Sequence, residues 1–109
     1  MSVDSAALAA LARTTDLPIL VDFWAPWCSP CRTMGPNVDA AAQRLEPQAR
    51  VLKLDVEAHP QSGSQYRVQS IPTLVLLRAG REVARVSGVM TPQQIVKWTA
   101  EAVDGDGKA

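Results

Sequence analysis

The sequence contains Val21-Asp22-Phe23-Trp24-Ala25-Pro26-Trp27-Cys28-Ser29-Pro30-Cys31-Arg32, in which an apolar run ends at two closely spaced cysteines. Residues 17–24 are nearly all apolar, as in a strand that is buried on both faces. A helix should follow from Ser29-Pro30, because proline is favoured at a first helical position. The stretch therefore predicts a strand that leads directly into a helix, with Cys28 and Cys31 at the junction.

Outward from this junction, apolar spacing and turn residues predict alternating helices and strands. A first helix should begin at Asp4 or Ser5, and the helix after the cysteines should be kinked by Pro36. Its inward stripe is Met34, Val38, Ala41, Ala42 and Leu45. The later elements are a strand at 50–56, a helix at about 59–66, strands at 73–78 and 82–87 joined at Ala79-Gly80, and a last helix from Thr91-Pro92. This order predicts an α/β protein with a mixed sheet and helices on both faces.

Length and composition indicate one domain spanning residues 1–109, with residues 104–109 as a frayed tail. Eleven basic residues balance eleven acidic ones, so nothing favours nucleic acid or an anionic membrane as a partner. No apolar stretch approaches the roughly 20 residues that span a bilayer, and the N-terminus lacks the order of a secretory signal. We therefore expect a cytoplasmic protein, and the even charge balance favours a monomer.

The two cysteines are too few for a secreted disulfide scaffold. A disulfide that closes a four-residue loop stabilises a fold by only about 2 kcal/mol, so the pair favours a redox function over a structural one. Cys28 precedes the first helical turn, where the helix dipole favours a thiolate, and its sulfur should be the more exposed. Cys31 lies one turn inside and leans back toward Cys28. We expect Cys28 to attack a substrate disulfide and Cys31 to resolve the mixed disulfide.

Three other interpretations of the pair carry less weight. A zinc site would need His59 and a recruited carboxylate beside the two cysteines. An iron–sulfur cluster bridged between chains is rarer still, and an inert structural pair conflicts with the small stabilisation of so short a loop. We expect no metal. Between the cysteines, Pro30 fixes the backbone and Ser29 adds a small polar group.

The quoted stretch resembles the active-site segment of the thioredoxin family. Later landmarks of that family occur in order as Lys53-Leu54-Asp55-Val56, Ser70-Ile71-Pro72-Thr73-Leu74, Ala79-Gly80 and Ser87-Gly88-Val89, so the resemblance covers about residues 17–103. It implies a thioredoxin fold and reduction of protein disulfides. It also implies electron supply from a flavin-containing, NADPH-dependent thioredoxin reductase. No cofactor of its own is expected beyond the Cys28–Cys31 disulfide, because no glycine-rich dinucleotide motif occurs.

The chain departs from the family pattern at three places. Ser29 and Ser70 stand where the family usually has glycine. The segment before Leu17 looks too short and helical for the family's first strand, so we expect four strands and leave a fifth open. The resemblance also implies a cis Ile71–Pro72 bond facing Cys28, with the Ile71 backbone pairing to substrate. The other seven prolines should be trans.

Supporting residues surround the predicted sulfur site. Asp22 interrupts an apolar strand, and burial should raise its pKa. The resemblance supports proton exchange with Cys31, whereas a purely structural carboxylate would pair with Lys53; we place both residues in the catalytic set with the cysteines. Trp27 should be partly exposed beside Cys28, and Trp24 should pack below the site or in the core. Trp27, Ile71, Pro72, Gly88 and Val89 form the candidate substrate-binding surface, although Gly88-Val89 could be an ordinary turn.

Three functional hypotheses remain open at this point. The leading one is a cytoplasmic protein-disulfide reductase acting in electron transport and redox homeostasis. An oxidant or isomerase ranks lower, because Ser29-Pro30 lacks the histidine that would stabilise the Cys28 thiolate. The third is a thioredoxin-like binding or scaffold module whose redox activity is secondary.

Overall fold

The computed structural model describes residues 2–107 and contains the eight predicted elements in the predicted order. Their bounds are α1 (Ser5–Thr14), β1 (Ile19–Trp24), α2 (Ser29–Leu45), β2 (Arg50–Asp55), α3 (Pro60–Gln65), β3 (Thr73–Arg78), β4 (Arg81–Ser87) and α4 (Pro92–Gly107). None of the helices in this described part is long and apolar enough to cross a membrane.

The four strands form one mixed sheet in the order β2-β1-β3-β4. The β1 and β2 strands are parallel, which requires a crossover, and α2 supplies it. The β3 strand runs antiparallel to both β1 and β4. The predicted mixed α/β sheet is therefore confirmed. Within residues 2–107 there is no fifth strand. A single parallel bridge joins Ser2 to Lys53, and the Val3 N–H donates to the Lys53 carbonyl at 2.9 Å.

Alternation of side chains along the strands builds a core on each face of the sheet. One core joins α1 to the sheet through Leu8, Ala12, Ile19, Val21, Phe23, Leu52, Leu54, Val75 and Leu77. The other lies under α2 and α4 and contains Leu20, Met34, Val38, Ala41, Val51, Leu74, Leu76 and Ile95. Within the predicted stripe of α2, Ala42 and Leu45 are half-buried at its margin. Because even-numbered residues of β1 face α2, Asp22 points toward the helix that carries the cysteines.

Local chemistry fixes the ends of the elements. Asp4 caps α1 by accepting a hydrogen bond from the Ala7 N–H at 2.7 Å. At α4 the Thr91 hydroxyl accepts from the Gln94 N–H, while the Gln94 side chain accepts from the Thr91 N–H. This reciprocal pair satisfies two amides that would otherwise lack partners at the helix start. The predicted start of each helix is confirmed.

The structure differs from expectation at two places. Residues 104–107 belong to α4 instead of fraying, and Asp106 binds Arg81 at 2.9 Å and Arg78 at 3.8 Å, which ties this helix end to the β3–β4 hairpin. Lys108 and Ala109 lie outside the described residues. The prediction that all prolines other than Pro72 follow trans bonds is wrong at Glu46–Pro47, which is cis. Nothing local in the sequence separates that bond from the trans ones, because every X–Pro bond has a small cis fraction.

Candidate functional site

The two cysteines form a disulfide at the N-terminus of α2, with their Cα atoms 5.3 Å apart. Cys28 is the N-cap residue, and its sulfur accepts a hydrogen bond from the Cys31 N–H at 3.2 Å. Pro30 lies in the first turn of the helix, and both Ser29 and Pro30 are exposed. Within residues 2–107 there is no group of three or more His, Cys, Asp or Glu side chains that could hold a metal ion. The sulfur of Cys28 thus occupies the position in which a helix start binds an anion.

Both cysteines are buried by the surrounding fold. As whole residues, Cys28 is 4% exposed and Cys31 is 5% exposed, so both are buried in this disulfide form, and the greater exposure of the Cys28 sulfur stays a prediction. The reason for the burial is tertiary packing, because the Cys28 sulfur lies 3.7 Å from the Ile71 carbonyl oxygen and both cysteines pack against Ala25, Trp24 and Ile71. A sequence pattern around the cysteines does not contain that distant loop.

The loop that carries Ile71 has a cis bond before Pro72, as the resemblance implied. The Gly88 N–H donates to the Pro72 carbonyl at 3.0 Å, and Gly88 adopts a φ of 102°, a value that favours glycine. The Thr73 and Ser87 hydroxyls lie 2.8 Å apart, which joins the same two segments again. The structure therefore places Ile71 beside Cys28 and joins Pro72, the next residue, to Gly88.

Arginine 85 on β4 was not singled out from the sequence, although it contacts the start of this loop. The Arg85 guanidinium donates to the carbonyl oxygens of Tyr66 and Arg67 at the end of α3, and it also pairs with Glu82. No local signal would have identified this contact, since it joins residues 18 and 19 positions apart.

Apolar surface surrounds the disulfide. Trp27 is 66% exposed and Val89 is 47% exposed. A cavity of about 170 Å³ opens beside Trp27 and Ile71, and its other lining residues are Val56, Gly63, Val68, Gln69 and Ser70. Gly88 and Val89 do not line this cavity. Of the expected surface, Trp27 and Ile71 share a concave feature, whereas Val89 is a separate exposed side chain.

Asp22 lies beneath the disulfide and is only 1% exposed. Burial raises the pKa of this carboxyl from 3.8 to about 6, although the Lys53 charge opposes the increase and the Asp39 charge adds to it. Its Oδ1 atom has no hydrogen-bond partner within the described residues. Asp22 and Cys31 line the same cavity of about 200 Å³, which is large enough for several water molecules. The carboxyl and the inner cysteine therefore border the same cavity.

Lys53 is placed as the sequence suggested but bonded differently. The sheet register sets Lys53 opposite Asp22, yet the Lys53 ammonium lies 2.7 Å from Asp39 Oδ1 on α2. The alternative in which Lys53 pairs with Asp22 is therefore wrong. Asp39 was not singled out from the sequence. Asp39 lies one helical turn after Gly35 and two turns after Cys31. This spacing predicts that Asp39 shares a helix face with the site, and it could have identified the residue.

Trp24 packs against the cysteines rather than in either of the large cores. It belongs to the small cluster of Ala25, Cys28 and Cys31, and it also lines the cavity beside Asp22. Its indole N–H is buried without a hydrogen-bond partner among residues 2–107. Trp24 thus forms part of the floor below the disulfide.

The chain matches known proteins along most of its length. A family model described as Thioredoxin matches residues 3–101. Thioredoxin 1 of Nostoc sp. is 45% identical over 87 residues, which are 80% of each chain. Thioredoxin of Synechocystis sp. is 46% identical over 87 residues with the same coverage. Thioredoxin of Rickettsia bellii is 38% identical over 84 residues, which are 77% of this chain and 80% of that protein.

A solved structure shares the fold. The crystal structure of chloroplastic thioredoxin z superposes with a TM-score of 0.84 and covers 94% of this chain and 93% of its own chain. The two sequences are 24% identical, so this likeness concerns the architecture alone.

Proposed function

The chain belongs to the thioredoxin family and is a thiol–disulfide oxidoreductase that reduces protein disulfides, and from this premise we propose a role for each residue of the site. Cys28 forms the mixed disulfide with substrate and Cys31 resolves it. Asp22 accepts the proton that Cys31 loses, and Lys53 adjusts the electrostatics of Asp22.

The hydrogen bond from the Cys31 N–H to the Cys28 sulfur, at 3.2 Å, carries the assignment of Cys28 as nucleophile. After reduction the same amide and the positive end of the α2 dipole would stabilise a thiolate at Cys28. Cys31 lies inside the helix and has no such position. The two sulfurs are chemically alike, so this difference in surroundings decides which one attacks.

The reaction transfers two electrons in two exchanges. The Cys28 thiolate attacks one sulfur of a substrate disulfide, whose S–S bond breaks and whose other sulfur leaves as a thiolate and is protonated. The Cys31 thiol then gives its proton to the Asp22 carboxylate and attacks the Cys28 sulfur. The mixed disulfide breaks, the second substrate thiolate leaves, and the Cys28–Cys31 disulfide remains. The cavity shared by Cys31 and Asp22 supports the proton transfer.

Substrate binding is proposed at Trp27, Ile71, Pro72, Gly88 and Val89. Exposed apolar side chains at Trp27 and Val89 offer contact area, and the backbone of Ile71 lies beside the reacting sulfur. An extended peptide that pairs with the Ile71 backbone would bring its disulfide to Cys28. Ser29, Pro30 and Trp24 form the supporting active-site loop.

The proposal includes the surroundings in which the enzyme works. The electron donor is a flavin-containing, NADPH-dependent thioredoxin reductase, and the acceptors are protein disulfides. The redox group is the Cys28–Cys31 disulfide itself, with no added cofactor or metal. We place the protein in the cytoplasm as a monomer that takes part in electron transport and redox homeostasis, and its balanced charge supports the monomer.

A trapping experiment tests the order of the two cysteines. The Cys31→Ser variant should accumulate a covalent complex with a disulfide-containing peptide that dithiothreitol releases, and the Cys28→Ser variant should not. Both variants should lose insulin reduction, measured as turbidity with NADPH and a thioredoxin reductase. Equal trapping by the two variants, or trapping through Cys31 alone, would contradict the assignment.

A further inference from the structure

Lys53 adjoins a buried carboxyl in the sheet but binds a different one. Asp22 on β1 and Lys53 on β2 are paired in a parallel register, so the two side chains leave the same face of the sheet. The Lys53 ammonium lies 2.7 Å from the Asp39 carboxylate on α2. Among the residues the structure describes, Asp22 forms no ion pair, and its Oδ1 has no hydrogen-bond partner.

Solvation favours Asp39 over Asp22 as the partner of Lys53. Asp22 is 1% exposed, whereas the side chain of Asp39 is 64% exposed and that of Lys53 is 21% exposed. An ammonium that turned inward to Asp22 would lose most of its water. The apolar stem of a lysine can instead lie along the cavity wall while its ammonium stays near solvent. There the Lys53 ammonium pairs with the Asp39 carboxylate.

We propose that Asp39 is a positioning residue that holds the Lys53 ammonium at the mouth of the cavity and so keeps Lys53 out of a direct ion pair with Asp22. This inference rests on the proposed function, in which Asp22 accepts the proton of Cys31. Asp39 touches neither sulfur and acts only through Lys53.

Among residues 2–107, the charged and titratable groups that line the cavity beside Asp22 come from two elements. From β2 comes Lys53, and from α2 come Cys31, Arg32 and Asp39. The Arg32 guanidinium donates to the Pro26 carbonyl at 3.2 Å. On the β3 side, Asp22 is paired in register with Leu74, which carries no charge. Lys53 is therefore the cation whose position Asp39 controls.

The chemical consequence concerns the strength of Asp22 as a base. A carboxylate paired with an ammonium holds its proton weakly, whereas an unpaired buried one binds a proton near neutral pH. Burial raises the Asp22 pKa to about 6, and the Asp39 charge contributes to that increase. Asp22 is then mostly ionised at pH 7 and can still take up a proton from a thiol.

The test measures the Asp22 pKa directly in the disulfide form, by following its side-chain carboxyl carbon by NMR as the pH changes. In Asp39→Asn, Lys53 is free to turn toward Asp22, and the Asp22 pKa should fall by about one pH unit. Asp39→Ala, which removes the acceptor oxygen as well, should act in the same direction. Asp16→Asn is the matched control, since it changes the same charge at an exposed site before β1 and should leave the Asp22 pKa unchanged.

A second background separates positioning by Asp39 from its direct repulsion of Asp22. With Lys53→Met present, Asp39→Asn removes only the direct charge effect, so its influence on the Asp22 pKa should be clearly smaller than in the native background. Equal shifts in the two backgrounds, or no shift in the native one, would overturn the proposal.

A kinetic measurement keeps this outcome distinct from the proposed function. Cys28 can be loaded with thionitrobenzoate, and its release by Cys31 can be followed in a single turnover at different pH values. The pH profile of release should move to lower pH in Asp39→Asn by the amount that NMR gives for Asp22. An unchanged profile in Asp22→Asn would count against the role of Asp22, whereas an unchanged NMR pKa in Asp39→Asn counts only against Asp39.

Discussion

At the scale of single residues, the buried carboxyl of Asp22 reduces the stability of the fold. Its carboxyl is 1% exposed and lacks a hydrogen bond at Oδ1, so ionisation occurs in surroundings that disfavour charge. The folded protein therefore holds this proton more tightly than the unfolded chain does. A residue selected for packing alone would be apolar at this position, like its neighbours Val21 and Phe23. The proposed transfer of the Cys31 proton to Asp22 would account for a carboxyl at this position.

Replacing Asp22 with Asn should stabilise the protein at neutral pH by about 3 kcal/mol. The folded pKa of about 6 lies above the ordinary 3.8, so the native carboxyl reduces stability as the pH rises through that interval. The loss of folding stability that the native carboxyl causes is complete above about pH 6 and absent below about pH 4. Urea unfolding of the disulfide form at pH 7.5 and pH 4 measures it.

Asp16→Asn is the control for this measurement. Asp16→Asn should change stability little at either pH, because Asp16 is exposed. A gain for Asp22→Asn that is as large at pH 4 as at pH 7.5 would show that packing, rather than the charge, is responsible.

At the scale of elements, most of the fold was predictable because the signals are local. Apolar runs, proline at helix starts and the Ala79-Gly80 turn fixed eight elements to within a few residues. What was not predicted depended on distant contacts. The pairing of Lys53 with Asp39 joins a strand to a helix, and the burial of Cys28 needs the Ile71 loop. The cis bond at Ile71 came from family resemblance, while the one at Glu46 had no signal.

The β3–β4 turn offers a prediction at this scale. Ala79 and Gly80 have φ values of 52° and 80°, and a left-handed conformation costs a residue with a Cβ about 1 kcal/mol. Ala79→Asn should therefore stabilise the protein by about 0.5 kcal/mol, since asparagine tolerates this region better than alanine. Gly80→Ala should destabilise it by about 1 kcal/mol.

Thermal or urea unfolding of both variants checks the turn. No atom lies within 4 Å of a Cβ placed on Gly80, so a loss there would come from the backbone rather than from a collision. Opposite signs at the two neighbouring positions are the expected result. A stabilising Gly80→Ala would contradict the turn geometry.

At the scale of the whole molecule, one sheet separates two cores, and the reactive disulfide lies at the end of β1 rather than within either core. The disulfide closes a loop of only four residues, and the tertiary contacts that hold α2 come from Met34, Val38 and Ala41 instead. The fold can therefore exchange its disulfide during turnover without losing its architecture.

Reduction of the disulfide should lower the free energy of unfolding by about 2 kcal/mol and leave the protein folded. The short loop restricts the unfolded chain only slightly, so little stability is lost when it opens. Urea unfolding followed by far-ultraviolet circular dichroism, with and without dithiothreitol, measures the difference. A reduced protein that is unfolded at 25 °C would show that the disulfide is a structural staple.

Lys53 joins two parts of the molecule that look unrelated. Its carbonyl accepts a hydrogen bond from the Val3 N–H, while its side chain pairs with Asp39 at the mouth of the cavity that Asp22 also lines. Any affinity tag fused ahead of Ser2 would begin next to the strand that carries this lysine. Tagged preparations should accordingly be compared with cleaved ones before pH-dependent rates are interpreted, because a shift of this strand would move the lysine that the proposed mechanism places near Asp22.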